Sequence, residues 1–332
     1  MKIKEQATGI CRQTLSQDLA NTGIQQGRKV SVIIPTRNNT RKIEHNIQSL
    51  LSGRICPDEI IVSDQSDNDE TRKVTSRVIS ELDADRIKYI RQSRTGLSAN
   101  RNDALRHASG DFIVFVDDDV IVSKDCIALM LAEWSEVWNY KPVLITGRIL
   151  PAPEFSEGDL VTALRQVDSR MVFDGKPSMH GVLIGAYFGG SKKLFELAGP
   201  SPFDEKLGLG ARYPAAEDDE FAYNLQKKGL PVVYEPGIVV THHTKRVSGW
   251  RRMRYTRSIG SGGAIAKHFL LGDYKIIFEL ARQFLVNLKK AVHALVRFNE
   301  PEGTSRLLAS AGLLYGFTRW TIEDIFNRAS RR

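Results

Sequence analysis

Gly110–Ile121 reads GDFIVFVDDDVI. Phe112 to Val116 is an unbroken apolar run of β-branched and aromatic residues. That is the pattern of a central parallel strand covered on both faces. The run ends in three acids, Asp117, Asp118 and Asp119. Open α/β sheets bind ligands at the carboxyl ends of such strands. Three adjacent carboxylates repel one another unless a cation or a donor-rich ligand joins them. A hard divalent metal, held by oxygen ligands and ligand phosphates, is the simplest resolution. A solvated acidic turn is the competing reading of the triplet taken alone.

Upstream, strands and helices alternate. The sequence predicts strands at Val30 to Pro35, Glu59 to Ser63 and Arg86 to Arg91. It predicts helices at Arg41 to Leu51, Asp69 to Leu82 and Gly96 to Ala108. This spacing means βαβ units and a parallel sheet. Right-handed crossovers then gather the strand carboxyl ends on one edge. Thr36 and Arg37, Asp64, and the acidic triplet therefore share a crevice. Asp64 there can accept hydrogen bonds from a base or a ribose; a helix cap or Asx turn is the alternative. Gly96 and Arg101 open a helix beside the same edge. Arg101 is suited to a diphosphate, with a solvated helix face as the alternative.

Downstream the pattern loosens. A helix at Ser123 to Tyr140 and strands at Pro142 to Leu150 and Val182 to Gly190 are expected, with a short helix at Ser191 to Leu197. Pro151 to Met179 is irregular and long, as expected of a lid or an acceptor-facing insertion. The paired glycines Gly189-Gly190 let backbone approach a ligand. Ala216 to Gly229 is a helix whose first turn holds Glu217, Asp218, Asp219 and Glu220. Acids favour a helix N-terminus through capping and the macrodipole, so a structural role competes with catalysis. Two short strands, Pro231 to Tyr234 and Ile238 to Thr241, lead to His242-His243. This His pair is of interest because a metal is already implied.

The chain of 332 residues is 42% hydrophobic and 26% charged, ordinary globular composition for one large domain or two. Three scattered cysteines argue for a reducing compartment and no disulfide framework. The first residues lack an apolar core, so no secretory signal is expected, and no stretch is apolar enough to span a bilayer. The net charge of +8 is uneven. Lys245 to Arg332 carries 17 Lys+Arg against 6 Asp+Glu, while the remainder is slightly acidic. That excess points to an anionic surface as partner, membrane before nucleic acid.

Five stretches in order resemble the family-2 inverting glycosyltransferases of GT-A fold: VSVIIPTRN, EIIVSDQSDNDET, GLSANRNDAL with GDFIVFVDDDV, FDEKLG with AEDDEFAYNLQKKG, and YEPGIVVTHH. They cover Val30 to His243. The resemblance implies an α/β, Rossmann-like GT-A domain over 29–245, with a nucleotide half (29–122) and an acceptor half (123–245). A polar extension (1–28) would precede it and a basic helical region (246–332) would follow. It further implies that Pro35, Thr36, Arg37, Asp64, Gly96, Arg101, Asp117 and Asp118 hold the nucleotide. Asp119 and His242 would hold Mg²⁺ or Mn²⁺. By the same resemblance Glu217 and Asp218 would form the catalytic pair with Asp218 in the base position, Asp219 being the alternative register. Where many relatives show a small residue followed by Asn, this chain has Gly189-Gly190-Ser191. Arg251-Arg252-Met253-Arg254-Tyr255 only partly echoes the Q-x-x-R-W of processive synthases. Transfer of one or a few sugars is therefore expected.

The activity implied is single-displacement transfer from a nucleoside-diphosphate sugar to a hydroxyl of a glycan, glycolipid or cell-envelope polysaccharide. A nucleotidyltransferase would want a glycine-rich phosphate loop, and Thr36-Arg37-Asn38-Asn39 has no glycine. A catalytically silent binding protein of the same fold is opposed by both intact acidic motifs. Nucleic-acid binding ranks last. Lys275 to Phe298 is a basic amphipathic helix, fit to pack on the domain or to lie at a membrane interface. Ser305 to Phe326 is expected to be helical but broken or bent near Gly312 and Gly316. The expected location is the cytoplasm, with peripheral attachment to the inner face of the cell membrane.

Overall fold

A computed structural model of the chain describes residues 28–82, 85–153, 163–243 and 249–330. The expected extension over 1–28 lies almost wholly outside the described residues, as does residue 245.

β1 (Val30–Thr36), β2 (Glu59–Asp64), β3 (Ile87–Arg91) and β4 (Phe112–Val116) are joined by α1 (Thr40–Leu51), α2 (Glu70–Leu82) and α3 (Leu97–Leu105). The four strands are parallel, in the order β3-β2-β1-β4. Every residue of β1, β2 and β4 is buried, so their sequences run apolar without alternation. Their side chains still divide by face. Val32 and Ile34 join one core cluster and Ile33 joins the other, on the two sides of the sheet. Register then sets the site: Thr36 pairs with Asp64, and Ile33 pairs with Phe115. β1 and β2 therefore finish level, while β4 ends two residues short of them and the acidic triplet continues its line beside Pro35 and Thr36.

The rest of the sheet is mixed. β5 (Val120–Val122) is followed by α4 (Cys126–Ala132), which runs into a π-helical turn over Glu133–Val137. Then come β6 (Leu144–Pro151), β7 (Met171–Phe173), β8 (Tyr187–Ser191), α5 (Lys192–Ala198), α6 (Glu217–Lys227) and β9 (Val232–His242). β8 lies antiparallel between β4 and β6, and β9 runs parallel to β6. The two strands expected near the end of this region are one. Its register against β6 slips between Gly147 and Arg148, so the Pro236-Gly237 stretch bulges without ending the strand. Gly189 and Gly190 approach the core and not a ligand. A Cβ on Gly189 would meet Ile113 O at 3.0 Å, and one on Gly190 would meet Leu194 at 2.6 Å.

Three helices complete the described chain: α7 (Trp250–Leu270), α8 (Ile277–Val296) and α9 (Glu300–Ala329). α7 lies in the region expected to be helical, but its bounds are not legible in the sequence, because Gly260, Gly262 and Gly263 weaken the local helical signal. α9 continues through Gly312 and Gly316 without the break that was one of the two expectations there. These glycines are where α7 and α9 meet. A Cβ on Gly262 would fall 2.0 Å from Leu313 O, and one on Gly316 would fall 2.1 Å from Ile259 O. The pair docks on the acceptor half. Tyr213 and Trp320 rings stand 4.7 Å apart, and Arg212 pairs with Glu323 at 2.6 Å. No helix among the described residues is long and apolar enough to cross a membrane.

Candidate active site

The acidic triplet forms three different environments. Asp118 accepts hydrogen bonds from Thr36 Oγ1 and Asn39 Nδ2, each at 2.6 Å. Burial raises its carboxyl to about 7, and its neighbours Asp119 and Asp117 add to the rise. Asp119 lies 3.1 Å from His242 Nε2. Burial works against its charge, but the His242 bond and the positive charges of His242 and Lys42 hold it below the usual carboxylate range. His242 is in turn lifted above its ordinary value: burial opposes this, and the Asp119 carboxylate outweighs it. The other ring nitrogen of His242 faces Ala163 O at 3.4 Å. A proton on Nδ1 would therefore leave Nε2 as the lone-pair donor on the Asp119 side.

Asp117 turns the other way. Its Oδ1 lies 3.1 Å from Arg101 Nη2, while Arg101 Nη1 lies 3.4 Å from Glu217 Oε1. Arg101 is 1% exposed and also donates to Gly185 O at 2.8 Å. One buried guanidinium thus joins the triplet after β4 to the acidic turn opening α6. Such a cation offsets two carboxylates that burial would otherwise make costly.

At the start of α6 the acids also differ. Burial and then the Asp218 charge raise Glu217 to about 7, with Arg101 opposing. Asp219 is pushed well above the usual range by burial and by both neighbouring acids. Asp218 is only half-buried, and two backbone donors orient its carboxylate. Gly185 N–H donates to Oδ2 at 2.8 Å and Asp219 N–H to Oδ1 at 2.9 Å. Glycine at 185 favours this approach, because a Cβ there would sit tightly, 3.1 Å from Asp218 Cβ. Glu220, facing away, is fully buried against Lys267 Nζ at 2.8 Å and His268 Nε2 at 3.0 Å of α7. The helical region thereby anchors the turn that carries Asp218.

On the nucleotide side, Asp64 is fully buried. Its Oδ1 accepts from Ser66 N–H at 2.7 Å and its Oδ2 from Tyr89 OH at 2.7 Å. This is the Asx turn that competes with a base-binding role. Pro35 pairs with Ser63 in the sheet, and Arg37 is exposed beside Asp67 at 3.3 Å. Gly96 caps α3 with φ +109°, a left-handed value that suits glycine. Opposite it lies Gly210, on a loop whose Leu209 O accepts from Leu97 N–H at 2.9 Å. That loop continues from the FDEKLG stretch. Its exposed Leu209, the Asn39 contact to Asp118 and the Gly185 contact to Asp218 escaped the sequence reading. The Thr36-Arg37-Asn38-Asn39 turn was the one available signal, for Asn39.

Residues 31–140 match the model of Glycosyl transferase family 2. A segment similar to the family-2 glycosyltransferases thus lies on a GT-A fold. The mannosyltransferase PcManGT from Pyrobaculum calidifontis, solved with GDP-Man and Mn²⁺, shares this fold. Its TM-score is 0.57 at 16% identity, with 88% of each chain covered. In sequence, the chain is similar to a GalNAc(5)-diNAcBac-PP-undecaprenol beta-1,3-glucosyltransferase of Campylobacter jejuni, 34% identical over 110 residues. That match covers 32% of this chain and 35% of the relative. It is also similar to the poly(ribitol-phosphate) beta-N-acetylglucosaminyltransferase TarS of Staphylococcus aureus. There the identity is 28% over 156 residues, covering 45% of this chain and 27% of the relative. The chain thus spans about a third or less of the curated relatives' length.

Proposed function

We propose that this chain is an inverting glycosyltransferase that moves a sugar from a nucleoside-diphosphate sugar to an acceptor hydroxyl, with Asp218 as general base. The observation carrying the reading is the junction at Arg101, which brings the acidic triplet and the α6 acids into one site. A sugar hydroxyl is a weak nucleophile until its proton is taken. In the reading, its oxygen bonds the anomeric carbon as the bond to the diphosphate breaks on the opposite face, and the proton passes to Asp218. Backbone donors occupy one lone pair on each Asp218 oxygen and fix its rotamer. A second lone pair on each oxygen remains to accept the proton. General-base help of this kind contributes about 10² to 10⁴ in rate. No covalent intermediate on the protein is required. Pro35, Thr36, Arg37, Asp64, Gly96, Asp117 and Asp118 line or brace the nucleotide side. Arg101, paired with protein carboxylates, serves there as an internal cation.

Asp119 and His242 suit a hard divalent cation. One carboxylate oxygen and one imidazole nitrogen already face each other at 3.1 Å, and Ala163 O is positioned to hold the second ring nitrogen. No third His, Cys, Asp or Glu joins them among the described residues, so donor phosphate oxygens would complete the shell. When bound there, Mg²⁺ or Mn²⁺ would offset the charge developing on the leaving diphosphate. The solved mannosyltransferase with GDP-Man and Mn²⁺ supports the donor class. The undecaprenol-linked and ribitol-phosphate names of the relatives support a lipid-linked or polymeric cell-envelope acceptor. A catalytic domain over 29–245, a basic helical region after it and peripheral attachment to the inner face of the cell membrane belong to the same reading.

A thermal-shift panel of UDP, GDP, dTDP and CDP, each with and without Mn²⁺, tests it. One nucleotide should shift the melt with metal present. At about 100 times its dissociation constant it stabilises by roughly 2.7 kcal/mol. No shift from any of them contradicts the nucleotide site.

A further inference from the structure

Among the described residues, one side of α8 is left uncovered. Leu280, Ala291 and Ala294 are buried, and Gly303 of α9 packs against Leu295 and Ala291. Phe278, Leu285 and Val292 recur every seven residues and so share the opposite side, where they are 73%, 60% and 54% exposed. The stripe ends at Val296 and at Phe298, which is 96% exposed. Phe298 follows the helix C-cap with φ +56°, a position where glycine is usual and a bulky side chain is strained. A fully exposed aromatic ring has been placed where the backbone least favours one.

Charge decides the occupant. From Leu280 to Asn299 the sequence contains Arg282, Lys289, Lys290 and Arg297 and no acid. Arg282 is already paired with Glu279, whereas Lys289, Lys290 and Arg297 are exposed. Two copies of α8 laid together would set these cations against their own equivalents. An anionic lipid surface answers the charge and takes the apolar stripe as well. The start of α8 is also tied to the helix that carries Asp218, because Tyr223 OH of α6 donates to Asp273, four residues before α8, at 2.7 Å.

We propose that the uncovered side of α8, with Phe298 at its end, docks on an anionic lipid bilayer and holds the acceptor side of the site toward it. The purpose of the docking rests on the sugar-transfer reading, but the docking itself is measured without any donor. The test is flotation with vesicles of phosphatidylcholine alone and of equimolar phosphatidylcholine and phosphatidylglycerol. Binding is expected to the mixed vesicles only, and to weaken in high salt. The double variant Lys289→Gln/Lys290→Gln should bind about 30-fold more weakly. Phe298→Ser should also bind more weakly, with the thermal midpoint and nucleotide shift of both variants unchanged. Equal binding to neutral vesicles, or binding to neither, overturns the proposal. So does a dimer in sedimentation velocity that Val292→Gln splits, which would assign the face to a second copy. Any of these leaves the nucleotide panel, and hence the transfer reading, standing on its own result.

Discussion

Arg101 Nη2 stands 3.1 Å from Asp117 Oδ1 inside the protein, where the arginine is 1% exposed. The same side chain reaches Glu217, so two acidic motifs separated by 100 positions share one counter-charge. Removing it leaves both carboxylates buried without a cation. Arg101→Met should lower unfolding stability by about 3–5 kcal/mol and abolish nucleotide-induced stabilisation. Arg101→Lys, which lacks the planar fork, should recover only part of either. Denaturant unfolding and the thermal-shift panel read both effects. A full-stability Arg101→Met protein would contradict the role.

Glu59 makes the fold acid-sensitive at the edge of the sheet away from the site. It binds Ser31 Oγ, Ser109 N–H and Oγ, and Lys88 Nζ at 2.6 Å, tying the amino ends of β1, β2 and β4 together. Burial opposes its charge, but these bonds bring its carboxyl down to about 2. A depressed carboxylate stabilises above its unfolded value of 4.5 and loses that contribution as pH falls through the folded value. Lys88 is half-exposed and screened, so the contribution is about 2 kcal/mol. Glu59→Gln should be less stable by about that amount at neutral pH, with a flatter stability curve between about pH 5 and pH 2. Chemical denaturation across that window is the check, and parallel curves would refute it.

The crossing of α7 and α9 leaves no room for a side chain at Gly316, where a Cβ would lie 2.1 Å from a backbone oxygen. Gly316→Ala should cost about 1–3 kcal/mol through overpacking. Because α7 also holds Glu220 through Lys267 and His268, the variant should lower turnover as well as the unfolding midpoint. An unchanged midpoint in denaturant would show that the helices part without strain.

The parallel half of the sheet was legible because β1, β2 and β4 are buried on both faces and so appear as unbroken apolar runs. α6 and the amphipathic character of α8 were legible from helical spacing. The bounds of α7 were not, since its glycines are determined by the surface of α9 and not by any local signal. β9 was divided at Pro236-Gly237 because a bulge and a turn use the same residues. The site was legible as a set of acids but not as a circuit. Arg101 reads in sequence as a partner for a diphosphate or as a helix-surface cation, and its protein partners lie 16 and 116 residues away. Asp64 is likewise engaged by Tyr89 of a neighbouring strand, a contact that only strand register reveals.

The central claim is that Asp218 takes the acceptor's proton, and kinetics of Asp218→Asn beside Asp219→Asn test it most directly. Release of nucleoside diphosphate from the donor sugar identified by the thermal-shift panel is the readout, with donor affinity measured in parallel. Asp218→Asn should lose about 10² to 10⁴ in turnover while binding donor as the parent does. Asp219→Asn, whose carboxyl is pushed upward by burial and its neighbours, should retain most activity. Near-normal turnover by Asp218→Asn would contradict the account, and a selective loss in Asp219→Asn would move the base one residue along the helix.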